Sequence, residues 1–415
     1  MNVFHTIGLL LTLAALSGYL NHKVFKLPQT IGLMVIALMV SLLLVALGAL
    51  GVAPIRDVAD FVSSLNFSDV LLHGMLAFLL FAGALHVDLG ALRSVRTPVA
   101  VLATVGLVIA TVLTGWLFWL GSRWLGFEMP FIYALLFGSL IAPTDPIAVM
   151  GIIRKVGAPQ SLEIKIAGES LFNDGVAVVV FLTILGVATG NQVPDPVGIS
   201  LFLLKEAAGG ILLGLLLGWI TYRLLLSVDA YQVEILLTLA LASGGYALAE
   251  ISHVSAPIAI VTAGLLIGNH GRDFAMSEKT RDHLDTFWEL VDEILNAVLF
   301  MVIGMEIVVL NLTVSHLIVG LCGILAVLLG RFISVSIPVA LMRLRRQFSA
   351  GVVRILTWGG LRGGISIALA LSLPQSRERE LIVTVTYIVV IFSVLVQGLT
   401  IGKLIRSVTK AKPEG

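Results

Sequence analysis

Apolar stretches long enough to cross a lipid bilayer recur from one end of the chain to the other, separated by short polar or turn-forming segments. A hydrocarbon core is spanned by about twenty predominantly apolar helical residues, so each stretch reads as a membrane-spanning helix. The pattern predicts thirteen of them, at residues 3–20, 29–49, 68–87, 98–122, 130–153, 163–189, 196–227, 232–250, 255–270, 288–310, 314–340, 351–374 and 381–405. The expected fold class is therefore all-α, a polytopic membrane protein with thirteen transmembrane helices. The longest gap, around residues 271–287, reads as a connector, and no loop is long enough for a catalytic domain, so an enzyme is not expected. Met1–Leu20 has no basic segment before its apolar run and no small-residue cleavage site, which reads as a retained first helix.

Orientation follows from the basic residues. With the N-terminus outside, eighteen lysines and arginines fall on the inner side, among them Lys23, Arg93, Arg154, Lys155, Arg343, Arg345, Arg346, Arg354, Lys403, Lys410 and Lys412. Only four, Arg56, Arg123, Arg377 and Arg379, fall outside. The positive-inside rule then predicts an outer N-terminus and a cytoplasmic C-terminus. An odd number of crossings suggests a repeat: with helix 7 as a spacer, helices 1 to 6 start outside and helices 8 to 13 start inside, an inverted-topology repeat of the kind found in secondary transporters.

The fifth helix of each half carries an interruption. Helix 5 contains Ala142-Pro143-Thr144-Asp145-Pro146 and helix 12 contains Gly359-Gly360-Leu361-Arg362-Gly363-Gly364. Prolines remove backbone donors, and glycines lower the cost of leaving helical geometry. Unwound backbone at membrane depth is tolerated only where it is buried in protein or lines a cavity. Two crossing broken helices, 5 and 12, are expected, with Asp145 in one break and Arg362 in the other placed to offset helix-end dipoles.

Composition adds exclusions. Of 415 residues 58% are hydrophobic and 12% charged, the mean hydropathy is +1.05, and the formal charge is +1. No basic or acidic excess suggests nucleic acid as a partner. Cys322, the only cysteine, allows no intrachain disulfide and reads as a small buried apolar group. No His/Cys cluster has zinc spacing, and no resident cofactor is expected. Membrane lipid is the expected surroundings.

Against this background Glu169-Ser170-Leu171-Phe172-Asn173-Asp174 stands out, because ionisable groups inside a membrane helix mark working sites by default. Glu169 and Asn173, four residues apart, share one helix face, and Ser170 and Asp174 share the adjacent face about 100° round. Asp174, the Ser170 hydroxyl, Asp145 and the freed carbonyls around Thr144 form a set of hard oxygen ligands suited to a small cation. Glu169 needs a compensating charge, and Arg331 and Arg362 are the two intramembrane candidates. Removing a carboxylate from water disfavours its charged form while a bound cation favours it, so proton and cation compete for Asp174. If only the loaded site crosses, that competition is antiport. Asn173-Asp174 contributes one titratable group, so one proton per monovalent cation is the simplest stoichiometry, with Asp145 as a second group able to titrate.

These residues resemble a known family. The Thr144-Asp145-Pro146 break, Glu169-Ser170-x-x-Asn173-Asp174-Gly175, Phe287-Trp288-Glu289 with Asn296 and Gly304-Met305-Glu306, and Gly360-Leu361-Arg362-Gly363-Gly364 are similar to the monovalent cation:proton antiporters. The resemblance is closest to the branch holding the bacterial NhaP proteins and the animal sodium/proton exchangers, and it extends to about Lys403. It implies a core domain moving against a dimerisation domain, a homodimer, and a bacterial inner (plasma) membrane. Residues 1–97 and 229–312 would be dimerisation helices, 98–190 and 313–408 the core, 191–228 a linker helix, and 409–415 a short cytoplasmic tail in place of the family's long regulatory one. It further implies cation binding at Asp174 with Asp145, Ser170 and the Thr144 carbonyl nearby, Arg331 as the partner of Glu169, and Asn173 as an organiser. Its Asn-Asp pair is similar to the electroneutral branch. Sodium is the expected cation, with lithium beside it and potassium as the alternative.

Other readings compete. An ion channel would favour a continuous pore and a repeated filter, which the sequence lacks. A proton-coupled symporter for an organic anion would place more cationic groups at the midplane. For individual residues, His73 and His86 suit either packing or pH sensing. Lys205 and Glu206 suit a structural role near the outer boundary, and Asp292 and Glu293 either a solvated face or an acidic entrance that concentrates cations.

Overall fold

The structure, a computed structural model, describes residues 3–50, 62, 67–146, 149–151, 153, 160–190, 195–310, 313–344, 348 and 351–409. Among these the chain is helical with no strand; an isolated antiparallel bridge joins Asp145 to Leu361. The helices are Val3–Leu20 (α1), Gln29–Ala49 (α2), Leu76–Leu85 (α3), Leu89–Trp124 (α4), Phe131–Ile141 (α5), Gln160–Ala188 (α6), Pro196–Leu225 (α7) and Tyr231–Ile251 (α8). They continue with Ala256–Leu266 (α9), Glu278–Met305 (α10), Val314–Arg343 (α11), Val352–Trp358 (α12), Gly364–Leu371 (α13), Arg377–Phe392 (α14) and Gly398–Thr409 (α15). Among the described residues seven helices are long and apolar enough to cross a membrane, from Gln29–Gly48 to Arg377–Val408. Of the orientation argument, Arg56, Arg154, Lys155, Arg345, Arg346, Lys410 and Lys412 lie outside the described residues. So do the tail from residue 410, the His73 side chain and parts of residues 147–152 in the predicted fifth helix.

Two starts differ from the hydrophobic pattern, for one reason. The fourth helix begins at Leu89 and not at residue 98, because the Asp88 carboxylate accepts the N–H groups of Gly90 and Ala91 and caps it. Its first turns carry Arg93 and Arg96 on exposed positions and bury Leu92 and Val95, so half of each turn is polar and no continuous apolar run announces it. Likewise α10 starts at Glu278, capped by the Ser277 hydroxyl accepting from the Thr280 N–H. The predicted connector at 271–287 is mostly helix, amphipathic, with Thr280 and Leu284 buried and an Arg272–Asp285 ion pair at 2.7 Å on the outside. An apolar-run criterion misses a helix that is half polar.

The packing that positions the functional residues is apolar and local. Trp288, fully buried, lies against Phe78, Phe81 and Phe287 and donates its indole N–H to the Thr238 hydroxyl at 3.0 Å, tying α3, α8 and α10 together. Phe118 of α4 and Phe137 of α5 pack with tilted rings within a second apolar cluster that also takes in Phe181 of α6 and Tyr387 of α14. On the outside α7 presents Leu212, Leu216 and Trp219, an exposed apolar face suited to lipid.

Candidate functional site

The polar run of α6 is inside the protein. Glu169, Ser170, Asn173 and Asp174 are all buried, and Asp174 is the most accessible of them at 8% exposure. A charged carboxylate in such surroundings requires a partner. Glu169 has one: Oε1 lies 2.5 Å from Nη1 of Arg331, itself buried in the middle of α11. The Arg331 Nε also donates to the Leu356 carbonyl of α12 at 3.3 Å, so a single guanidinium links α6, α11 and the helix leading to the glycine-rich break. A short, buried, charge-assisted contact of this kind fixes position as much as it contributes energy.

Asn173 and Ser170 converge on the proline-containing break. Helix α5 stops at Ile141, ahead of Pro143 and Pro146, and the freed Thr144 N–H donates to the Asn173 Oδ1 at 3.4 Å. The Thr144 hydroxyl accepts from Asn173 Nδ2 at 2.8 Å and shares a hydrogen bond with the Ser170 hydroxyl at 2.9 Å. Thus the Asn173 side chain satisfies both a backbone and a side-chain group of Thr144, one turn of α6 holding open a segment that cannot hydrogen-bond to itself. Sequence reasoning placed Ser170 with Asp174 and Asn173 with Glu169; in the structure Ser170 and Asn173 act together on Thr144.

Arg362 reaches the other way. Its Nη1 donates to the carbonyls of Ala142 and Pro143, at 2.5 and 2.8 Å, two acceptors released where α5 ends. A cation there offsets the negative end of the α5 dipole. The same contact narrows the set of freed carbonyls that sequence reasoning offered to a cation, since these two are engaged. Backbone pairs the breaks as well: the Asp145 N–H donates to the Leu361 carbonyl at 2.8 Å. The Asp145 carboxylate lies so close to Gly363, the residue preceding α13, that a Cβ there would come within 2.3 Å of Oδ2. Only glycine permits that approach. At Gly360 an added Cβ would fall 2.8 Å from Arg331 Nε.

The structure therefore brings Thr144, Asp145, Glu169, Ser170, Asn173, Arg331 and Arg362 into one connected set, with Asp174 buried on the same helix. Other candidates fall elsewhere. His86 is exposed and its Nδ1–H donates to its own helix at Ala82, 2.8 Å away. Asp292 is the exception: half-buried on α10, its carbonyl accepting from Asn296, it lies near enough to Asp145 to feel that carboxylate's charge, while Glu293 is exposed. Sequence reasoning missed the groups that hold the glycine-rich break from behind. Ser393 accepts the Arg362 N–H at 2.9 Å, Gln397 donates to the Trp358 carbonyl at 3.1 Å, and the Trp358 indole donates to Thr400 at 2.8 Å. The available signal was Ser393 and Gln397, four residues apart in an apolar run and so on one helix face.

The profile of the family described as sodium/hydrogen exchanger, transmembrane, matches residues 10–406. The chain belongs to that family. It is 49% identical to the Na(+)/H(+) antiporter NhaP of Pseudomonas aeruginosa over 97% of this chain and 96% of that protein. It is 33% identical to the Na(+)/H(+) antiporter NhaH of Halobacillus dabanensis over 98% of this chain and 99% of that one. Among solved structures, that of the sodium proton antiporter MjNhaP1 from Methanocaldococcus jannaschii at pH 8 aligns over 98% of both chains with a TM-score of 0.74 at 22% identity, a likeness of fold. Membership of that family makes this an integral membrane transporter.

Proposed function

We propose that the chain exchanges a sodium ion, with lithium as a second substrate, for a proton, one for one and without net charge movement. The observation that carries this reading is Asp174. It is a buried carboxylate at a point where Arg331 is engaged by Glu169 and Arg362 by the carbonyls of the opposing break. Burial disfavours its charge and a cation restores it, so one group serves two ions in turn. Asp145, the Ser170 hydroxyl and Thr144 supply further hard oxygens, and Asn173, Glu169, Arg331 and Arg362 hold the frame. No resident cofactor is needed: the cation and proton are cargo.

The architecture we attach to this function has thirteen crossings in an inverted repeat, with α5 and the α12–α13 pair as halves of crossing broken helices. The chain ends of the two breaks meet through Asp145 and Leu361, which supports that arrangement. Residues 98–190 and 313–408 move as a core against a dimerisation domain formed by 1–97 and 229–312, joined by 191–228, in a homodimer of the bacterial inner membrane with its N-terminus outside.

The test is pH-gradient-driven exchange in proteoliposomes, with each alkali cation in turn, with and without a potassium/valinomycin clamp. Sodium and lithium are expected to dissipate the gradient, potassium not, and the clamp to leave the sodium rate unchanged. Competition also requires the sodium KM to rise as pH falls. Asp174→Asn is expected to abolish exchange in a folded protein; retained gradient-driven sodium flux in that variant would overturn the assignment.

A further inference from the structure

A second feature, lined by none of the residues of the Asp174 site, lies between α11, α12 and α15. A cavity of about 700 Å³ opens there, lined by Phe332, Arg343, Val353, Arg354, Ser407 and Val408. It runs along α11 from Phe332 to Arg343, eleven residues or roughly 16 Å of helix. Its two ends differ in chemistry. Phe332 is 49% exposed on a helix long and apolar enough to span a membrane, so that end faces hydrocarbon. Arg343 and Arg354 are exposed at the other end, beside the Ser407 hydroxyl.

The charge at that end is uncompensated by the helices that build it. Residues 314–343, 352–358 and 398–409 contain no aspartate or glutamate at all, and α15 adds Lys403 and Arg406. The cavity is also shaped by the backbone: Gly351, at φ +74°, begins the α12 segment, and a Cβ there would come 2.4 Å from Val408 Cγ1, so the left-handed glycine lets the two walls close at its base. Guanidinium groups bind phosphate oxygens in a bidentate fork, and basic pockets between helices at a membrane face bind anionic headgroups.

We propose that this cavity holds an anionic glycerophospholipid, its phosphate on Arg343, Arg354 and Ser407 and its acyl chain along Phe332 and Val353. The elongated shape, with one wall open to hydrocarbon, selects a lipid over a free phosphate, which would use only the charged end. Such a lipid would tie the end of α11 to α15 and to α12, the helix that leads into the glycine-rich break.

The probe is phosphatidylglycerol added to the full chain in detergent, with phosphatidylcholine and soluble glycerol 1-phosphate as the other arms and thermal unfolding as the readout. Phosphatidylglycerol is expected to raise the unfolding midpoint saturably. Arg343→Gln/Arg354→Gln should need roughly 25-fold more lipid for the same shift, about fivefold per arginine. Arg343→Lys/Arg354→Lys should fall between wild type and the glutamine variant, since it retains the charge and, at Arg343, a cation in the last turn of α11, but loses the bidentate fork. An equal response in wild type and the glutamine variant overturns the proposal, as does an equal response to glycerol 1-phosphate. If the glutamine variant does not fold, modification of Arg343 and Arg354 by an arginine-selective reagent in the wild-type chain decides the matter: protection by phosphatidylglycerol supports the site, and unchanged labelling overturns it. Neither readout uses ion exchange, so the outcome is independent of the transport reading.

Discussion

The two breaks in the helical fold are both held by side chains of a neighbouring helix, yet they offer different things to the site. The proline-containing break after α5 is held by side chains: Asn173 and Ser170 of α6 take up the Thr144 N–H and hydroxyl that the prolines leave without helical partners. The glycine-rich break between α12 and α13 is likewise held by side chains at its main chain, but it differs in admitting close approach. Ser393 and Gln397 satisfy its main chain, while Gly360 and Gly363 admit Arg331 and Asp145 where a side chain would stand. One break thus supplies oxygen atoms and the other supplies space for charged groups. A site that must hold a bare cation needs both, because ligands without room cannot converge and room without ligands leaves the ion desolvated.

The largest effect separating the two follows from that space. Gly363→Val places atoms where the Asp145 carboxylate lies, and sodium exchange in proteoliposomes is expected to fall to background; a variant that transports normally would show that the close approach is dispensable. Next comes the pair joining them. Arg331→Gln leaves Glu169 buried without its cation and is expected to cost about 3–5 kcal/mol in unfolding experiments, whereas Glu169→Gln/Arg331→Gln recovers most of it. If single and double variants were equally unstable, the pair would be packing and not electrostatics.

Smaller effects are expected on the proline-containing break. Thr144→Val removes the acceptor for Asn173 and the partner of Ser170, a loss of about 1–2 kcal/mol for interhelical hydrogen bonds in a membrane. Because Thr144 is also a ligand in the proposed site, its sodium KM should rise more than its maximal rate falls, which a purely structural role would not produce. Smallest is Trp358→Phe, which deletes the hydrogen bond to Thr400 behind the glycine-rich break while keeping an aromatic ring. A cost of roughly 0.6 kcal/mol with exchange retained is expected; a large transport defect would mean that this backing sets the geometry of Arg362.

Both breaks and the polar run are legible in the amino-acid sequence. The interruptions at 142–146 and 359–364 can be read because proline and glycine act locally, and the run from Glu169 to Asp174 because charge in an apolar helix is costly wherever the helix goes. The early starts of α4 and α10 are not legible, since Arg93, Arg96 and the charges after Glu278 sit on exposed faces that lower the apolar count of helices whose other face is buried. Ser393 and Gln397 escape notice because a hydroxyl or an amide in a membrane helix can bond its own turn, and nothing local says that it faces a neighbour.

What the sequence determined by itself was the inventory: membrane helices, two places where they must break, and a short list of polar groups that cannot lie in lipid without a purpose. Those follow from properties each residue carries alone, its hydrophobicity, its backbone freedom and its charge. Tertiary structure decided the partnerships: that Arg331 faces Glu169 while Arg362 caps α5, that Ser170 joins Asn173 on Thr144, and that three helix ends leave two arginines around one cavity. Each of these depends on distances between residues far apart in the chain. A guanidinium in low dielectric is drawn to whichever acceptor the packing brings within reach, and packing is a property of the whole fold.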